Sequence, residues 1–325
     1  MSRGWNWDFE DERRPRRTAE PDTPAPARAP GASPDDATQA RRTQIRRRRG
    51  GAAVVAVALL ALVVAALSGA HHSNSTSATS ATKGRRVLVK HATGDPEVDA
   101  DTAVRSVLAY TPFIKVGSAR TRDIALTFDD GPGPYTPGVL SVLEHYKVRA
   151  TFFEIGKMLR YFSSSTLREI EDGDVIGDHT ESHPMMAQLS RHDQHEELFE
   201  QLARIELLGG RRPVLFRPPY GSFNATTLAE LHQLHLLMVL WSVDTEDYRQ
   251  PGVSVIVERA LAGAQPGAII LMHDAGGVRE QTIAALPIII DKLRAKGFRL
   301  VTVPQLLMDD PPPAGQQIPP NLAGG

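Results

Sequence analysis

The sequence predicts an α/β protein: a closed or nearly closed barrel of about seven parallel strands, preceded by a single transmembrane helix. Three observations carry that expectation. From about residue 121 to 308, apolar runs of strand length alternate with helix-length segments, the pattern that right-handed βαβ units and a parallel sheet produce. Polar and ionisable clusters follow the strands rather than precede them, and in α/β barrels the C-terminal strand ends converge on one face. Upstream, the 21 residues from Gly50 to Ala70 carry no charge and are almost entirely Ala, Val and Leu, long enough to span a hydrocarbon core of roughly 30 Å.

Residues 1–49 are rich in Arg, Asp, Pro and Ala without apolar periodicity, and read as a disordered basic segment. Six arginines fall within 41–49, whereas Lys and Arg do not recur after the apolar run until Lys83. That asymmetry places the N-terminus in the cytoplasm and the remainder outside the cell membrane, as a single-pass protein. Secretion after signal cleavage is the alternative, because Ser68-Gly69-Ala70 resembles a small-residue cleavage site. The long basic region and the length of the apolar run favour an uncleaved anchor over 50–70. Residues 71–120 read as a Ser/Thr-rich linker and stalk, and 309–325 as a disordered Pro/Gly-rich tail.

Inside the 121–308 domain, strands are expected at 124–128, 150–155, 174–177, 214–217, 236–243, 268–272 and 298–303. Helices are expected between them at 136–146, 164–172, 190–208, 225–233, 254–264 and 279–296. Asn224 is a natural N-cap, and Gly209-Gly210 and Gly297 follow the last turns of their helices.

Composition removes several function classes. The chain has 325 residues, 41% of them hydrophobic, which suits one good-sized domain with appendages. A formal net charge of -1 gives no case for nucleic-acid binding. There is no cysteine, which excludes disulfides, thiol nucleophiles and thiolate zinc sites.

The densest chemistry lies at Thr127-Phe128-Asp129-Asp130-Gly131-Pro132, where an apolar run breaks into a turn. Two neighbouring carboxylates at a strand end are costly unless a cation lies between them or one stays protonated. His179 and His183, four residues apart, can turn both imidazoles toward one ion. Asp130 with these histidines makes a three-ligand metal set with room for water, and Asp129 is left as a base. Each signal is weak alone: Asp-Gly-Pro is ordinary turn sequence, and a His-x-x-x-His pair is more often a surface coincidence. His192 and His195 read as solvated surface on a helix, Trp241 as core, and Tyr248 as either groove lining or packing.

Five clusters in order resemble those of the polysaccharide deacetylases, the NodB-homology family of carbohydrate esterases. They are Thr127 to Pro132, His179-Thr180-Glu181-Ser182-His183, Arg217-Pro218-Pro219-Tyr220-Gly221, Asp244-Thr245-Glu246-Asp247-Tyr248 and Leu271-Met272-His273-Asp274. Tyr248 stands where the family often has Trp. The resemblance covers roughly 120–305 and implies a distorted (β/α) barrel. It implies that Asp130, His179 and His183 bind a divalent metal, most simply zinc, with cobalt or nickel also suited to such a donor set. It further implies Asp129 as general base held by Arg217, and the Tyr220 backbone N–H as an oxyanion donor. His273 would be the general acid, oriented by Asp244. The expected activity is removal of N-acetyl groups from amino sugars of a cell-wall or extracellular glycan, peptidoglycan or chitin-like, by a monomer. An O-acetyl esterase and a non-catalytic glycan-binding module on the same barrel are the alternatives.

Overall fold

The computed structural model describes residues 96–317. The expected basic segment, the 50–70 anchor and the first part of the linker lie outside the described residues, as do 318–325. Among the described residues, no helix is long and apolar enough to cross a membrane.

The strands are β1 Phe113–Ile114, β2 Asp123–Asp129, β3 Thr151–Glu154, β4 Val175–Asp178, β5 Leu215–Phe216, β6 Leu237–Val239, β7 Val243–Asp244, β8 Ile269–His273 and β9 Arg299–Val301. The helices are α1 Pro96–Leu108, α2 Thr136–Tyr146, α3 Leu159–Asp172, α4 Arg191–Leu207, α5 Ala225–Leu234, α6 Val253–Ala262, α7 Glu280–Ala295 and α8 Val303–Asp309. All pairings are parallel, in the order β1-β6-β5-β4-β3-β2-β8-β7, with β9 on the first half of β2.

The expected strand 236–243 is two strands. β6 lies near one end of the order and β7 forms the other end, yet only Leu240–Ser242 connects them. A link that short spans roughly 15 Å at full stretch, so the sheet curls until its edges almost meet. Leu240 N–H donates to Ile114 O at 2.8 Å and Ser242 N–H to Ile269 O at 3.1 Å, so the chain changes edge within those residues. The barrel is therefore incompletely closed.

Strand alternation divides the side chains between the two surfaces of the barrel. Ile124, Leu126 and Phe128 of β2 pack outward with Val139, Leu140 and Leu143 of α2 and Leu286, Ile289, Ile290 and Leu293 of α7. Burying each of the larger side chains contributes about 1.5–3 kcal/mol. Ala125, Leu215, Leu237 and Ile269 point inward, near the starts of their strands, and join Val104 and Val107 of α1 and Val303, Leu306 and Leu307 of α8. These two helices seal the N-terminal end of the barrel.

Part of the expected linker and tail thus belongs to the domain. α1 and β1 are built into the fold, and Asp310 is fully buried. Its carboxylate accepts from Ser118 Oγ at 2.9 Å, Arg120 N–H at 2.7 Å and Thr121 N–H at 2.9 Å. Farther along, Tyr110 Oη donates to Pro312 O at 2.8 Å. The helix ends match their sequence signals: Asn224 and Thr227 form a capping box, Ser190 caps α4, and Gly297 follows α7 with φ 79°.

Candidate active site

Asp129, the last residue of β2, points into the barrel and is almost fully buried. Arg217, just beyond β5, is wholly inaccessible to solvent. Its Nη1 donates to Asp129 Oδ1 at 2.7 Å and to Thr127 Oγ1 at 2.8 Å, and its Nε donates to Val239 O at 3.0 Å. The guanidinium also lies 4.1 Å over the Phe153 ring. Arg217 thereby links β2 to β6 through the barrel interior and fixes one oxygen of Asp129.

The next residue, Asp130, has a left-handed backbone, φ 73°, which turns its carboxylate away from Asp129's path toward the β4 loop. His179 follows β4, and His183 stands four residues on, also left-handed at φ 66°. His183 Nε2 lies 3.1 Å and His179 Nε2 3.6 Å from Asp130 Oδ1. One donor atom from each of the three groups falls within 4.8 Å of the others, and all three residues are buried. His179 Nδ1 lies 2.7 Å from Arg217 O, so Nδ1 carries the proton and Nε2 offers its lone pair to the shared point. Two imidazole nitrogens and a carboxylate oxygen meeting in this way form a fitting donor set for a divalent ion. Burial would raise the Asp130 pKa, but the electrostatic influence of His183 and His179 holds it well below the usual carboxylate range.

The loop between the histidines is braced by its neighbours. Asp178 Oδ1 accepts from Thr180 N–H at 2.6 Å, and Thr180 Oγ1 accepts from His183 N–H at 2.9 Å. Tyr220 lies in a tight turn after Arg217 with φ 58°, its ring 4.6 Å edge-on from that of His183.

His273 is the last residue of β8 and the registered partner of Asp129 across the β2–β8 ladder. Its Nδ1 lies 2.7 Å from Asp247 Oδ1, and its backbone N–H donates to Asp247 Oδ2 at 2.9 Å. Burial pushes the imidazole pKa down, yet the charge and hydrogen bond of Asp247 outweigh that and raise it to about 9.

A polysaccharide deacetylase family model matches residues 117–239. The chain is 35% identical over 213 residues to the chitooligosaccharide deacetylase of Rhizobium leguminosarum bv. trifolii, covering 62% of this chain and 99% of that protein. The chain belongs to the polysaccharide deacetylase family. It is also 36% identical over 194 residues to the peptidoglycan-N-acetylglucosamine deacetylase PgdA of Listeria monocytogenes, covering 59% of this chain but only 40% of that relative. Among solved structures, the Bc1960 peptidoglycan N-acetylglucosamine deacetylase superposes with a TM-score of 0.60 at 32% identity, over 64% of this chain and 97% of that one.

Within this polysaccharide deacetylase the expected site residues converge, with one exception. Asp244 was the expected partner of His273, but its Oδ1 accepts from Glu246 N–H at 2.8 Å instead. The left-handed Glu246, φ 49°, reverses the chain, so it is Asp247 that enters beneath His273. Thr282 Oγ1 of α7 donates to Asp247 Oδ2 at 2.7 Å and completes that arrangement. The motif Asp244-Thr245-Glu246-Asp247-Tyr248 contained both acids, and only the turn decides between them. Trp241, expected in the core, is half-buried, 5.7 Å from the Arg217 guanidinium. The Tyr248 ring lies 5.3 Å edge-on from His273, so it lines the site. His192 is exposed as expected. His195 instead pairs with buried Glu230, Nδ1 to Oε2 at 2.9 Å, alongside Arg191 at 2.6 Å.

Proposed function

We propose that this chain removes N-acetyl groups from the amino sugars of a cell-wall or extracellular glycan, peptidoglycan or chitin-like, releasing acetate with the help of a divalent metal. The observation that carries the reading is the juxtaposition of three units. A buried Asp-His-His triad, a carboxylate fixed by Arg217 and a histidine paired with a buried carboxylate lie on adjoining strand ends.

Asp130, His179 and His183 would hold the ion, most simply zinc. A divalent ion there supplies Lewis acidity, polarising a carbonyl and making water acidic near neutral pH. Asp129 takes the proton from the attacking water. Its Oδ1 is occupied by Arg217, which leaves Oδ2 as the basic atom. The backbone N–H of Tyr220 donates to the oxygen that gains charge as the acetyl carbon becomes tetrahedral. His273, with Nδ1 committed to Asp247, presents Nε2–H and returns a proton to the departing amine. The products are acetate and a free amino sugar.

Membrane attachment through residues 50–70, with the N-terminus cytoplasmic and the catalytic domain extracellular as a monomer, would bring the site first against cell-wall glycan. The charge asymmetry around that run supports this placement.

Acetate release by the full-length protein, before and after chelation, tests the reading. Peptidoglycan, chitooligosaccharides and acetylated xylan are to be offered with zinc or cobalt. Chelator-sensitive release from N-acetylated glycans, absent in Asp129→Asn, is expected. Release from xylan alone would convert the reading to an O-acetyl esterase. Glycan binding without release from any of the three would sink the enzyme reading in favour of a binding module.

A further inference from the structure

The turn carrying Asp130 and the turn that follows His273 mesh at three successive points. The Asp274 carboxyl lies against Gly131, where an added Cβ would meet Oδ2 at 2.5 Å and Oδ1 at 2.8 Å. Ala275 lies against Gly133, where an added Cβ would meet the Ala275 methyl at 2.5 Å. Gly276, with φ 73°, lies so close to Asp130 that a side chain there would overlap the Asp130 carboxylate. Asp274 is fully buried, as is Thr136 at the start of α2. Thr136 Oγ1 donates to Asp274 Oδ2 and accepts from Gly133 N–H at 2.7 Å. On the sheet side, Asp274 N–H donates to Asp129 O at 3.2 Å, and Ile155 N–H donates to Gly131 O at 2.7 Å.

The Asp130–Gly133 segment is therefore held from both flanking strands. A side-chain brace on its backbone is the relay Gly133 N–H to Thr136 Oγ1 to Asp274. Asp130 must keep a left-handed backbone that costs a non-glycine residue free energy unless its surroundings enforce it. We propose that Asp274 and Thr136 are positioning residues for the metal site: through Gly133 they hold the turn that presents Asp130. They would also couple that turn to the segment bearing His273, so that loosening the acid's side of the barrel loosens the metal ligand. This rests on the metal reading given above.

The test is the zinc affinity of the full-length, metal-stripped protein, measured by competition with a chromophoric chelator. Affinity is read only on variants whose circular dichroism shows them folded. Asp274→Ala and Thr136→Val should each weaken zinc binding by about 10- to 100-fold, the usual cost of losing a group that supports a ligand. Asp274→Asn and Thr136→Ser, which keep the acceptor and the hydroxyl, should bind close to wild type. That contrast separates positioning from loss of fold. If Asp274→Ala does not fold, the Thr136→Val and Thr136→Ser pair decides alone. Folded Thr136→Val or Asp274→Ala with wild-type affinity would overturn the proposal. A wild-type protein that takes up no zinc would overturn the metal reading, and the brace with it.

Discussion

The two ends of the barrel interior use the same alternating strand positions for different purposes. At the strand starts, Ala125, Leu215, Leu237 and Ile269 are sealed by α1 and α8. At the strand ends, farther along those same inward rows, stand Asp129, Arg217 and His273. The apolar end stabilises through area removed from water and is indifferent to which atom meets which. The polar end buries a guanidinium and several carboxyls, which is tolerable only if each finds a specific partner. A change at the apolar end should therefore register in stability alone. At the polar end, stability and rate are carried by the same bonds.

The largest effect that would sharpen this contrast is Asp129→Asn. It removes the proposed base, whose loss should cost about 10²- to 10⁴-fold in kcat. It also leaves the Arg217 charge buried without its counter-ion, costing about 3–5 kcal/mol. Steady-state kinetics and urea unfolding should thus both move. Adding Arg217→Met separates the two: the apolar replacement should recover much of the stability lost in Asp129→Asn, while the rate stays abolished. A double variant no more stable than Asp129→Asn would break the argument that the buried pair is the link. At the other end, Leu306→Ala opens a cavity beneath the barrel and should cost about 2–5 kcal/mol of unfolding free energy, with kcat unchanged at temperatures where it remains folded. A fall in kcat there would mean that the two ends are not independent.

A smaller effect than loss of Asp129, read in the pH dependence, is that of Asp247→Asn. With its pKa raised to about 9, His273 stays protonated through neutrality, and the basic limb of the pH–rate profile should fall as pH passes through about 9. Without the Asp247 charge, that limb should move down toward the ordinary histidine value of ~6.5. The sign for stability follows: a folded-state pKa above the unfolded value stabilises the fold fully below ~6.5. That contribution is lost as pH rises through about 9. Profiles of kcat/KM for wild type and variant that superimpose would exclude His273 as the acid.

Much of the polar end was legible in the sequence because its cause is local. Acids at the break between a strand and a Gly-Pro turn, and histidines four apart after the next strand but one, announce themselves in the order of residues. Asn224 did the same for the start of α5. What sequence did not reveal depends on closure. The run 236–243 is apolar but for Ser242, and only the meeting of the two sheet edges breaks it into β6 and β7. Asp244 stands nearest its strand end, but the backbone reversal at Glu246 hands the role to Asp247. The apolar anchors of α1 are confined to Ala103, Val104, Val107 and Leu108 at the end of Pro96–Leu108, too short a stretch to distinguish a plug from a linker. Asp310 gives no hint of burial in a Pro-rich neighbourhood, since its partners lie about 190 residues away.

Asp129 and His273 are registered partners on adjacent strands, so the separation of the proposed base and acid is a strand spacing of about 4.8 Å at the backbone. The sheet serves as a ruler, and neither group depends on a moving loop for its reach. Loops around the mouth can therefore be lengthened or rebuilt to admit a different sugar without altering where a proton is removed and where it is given back.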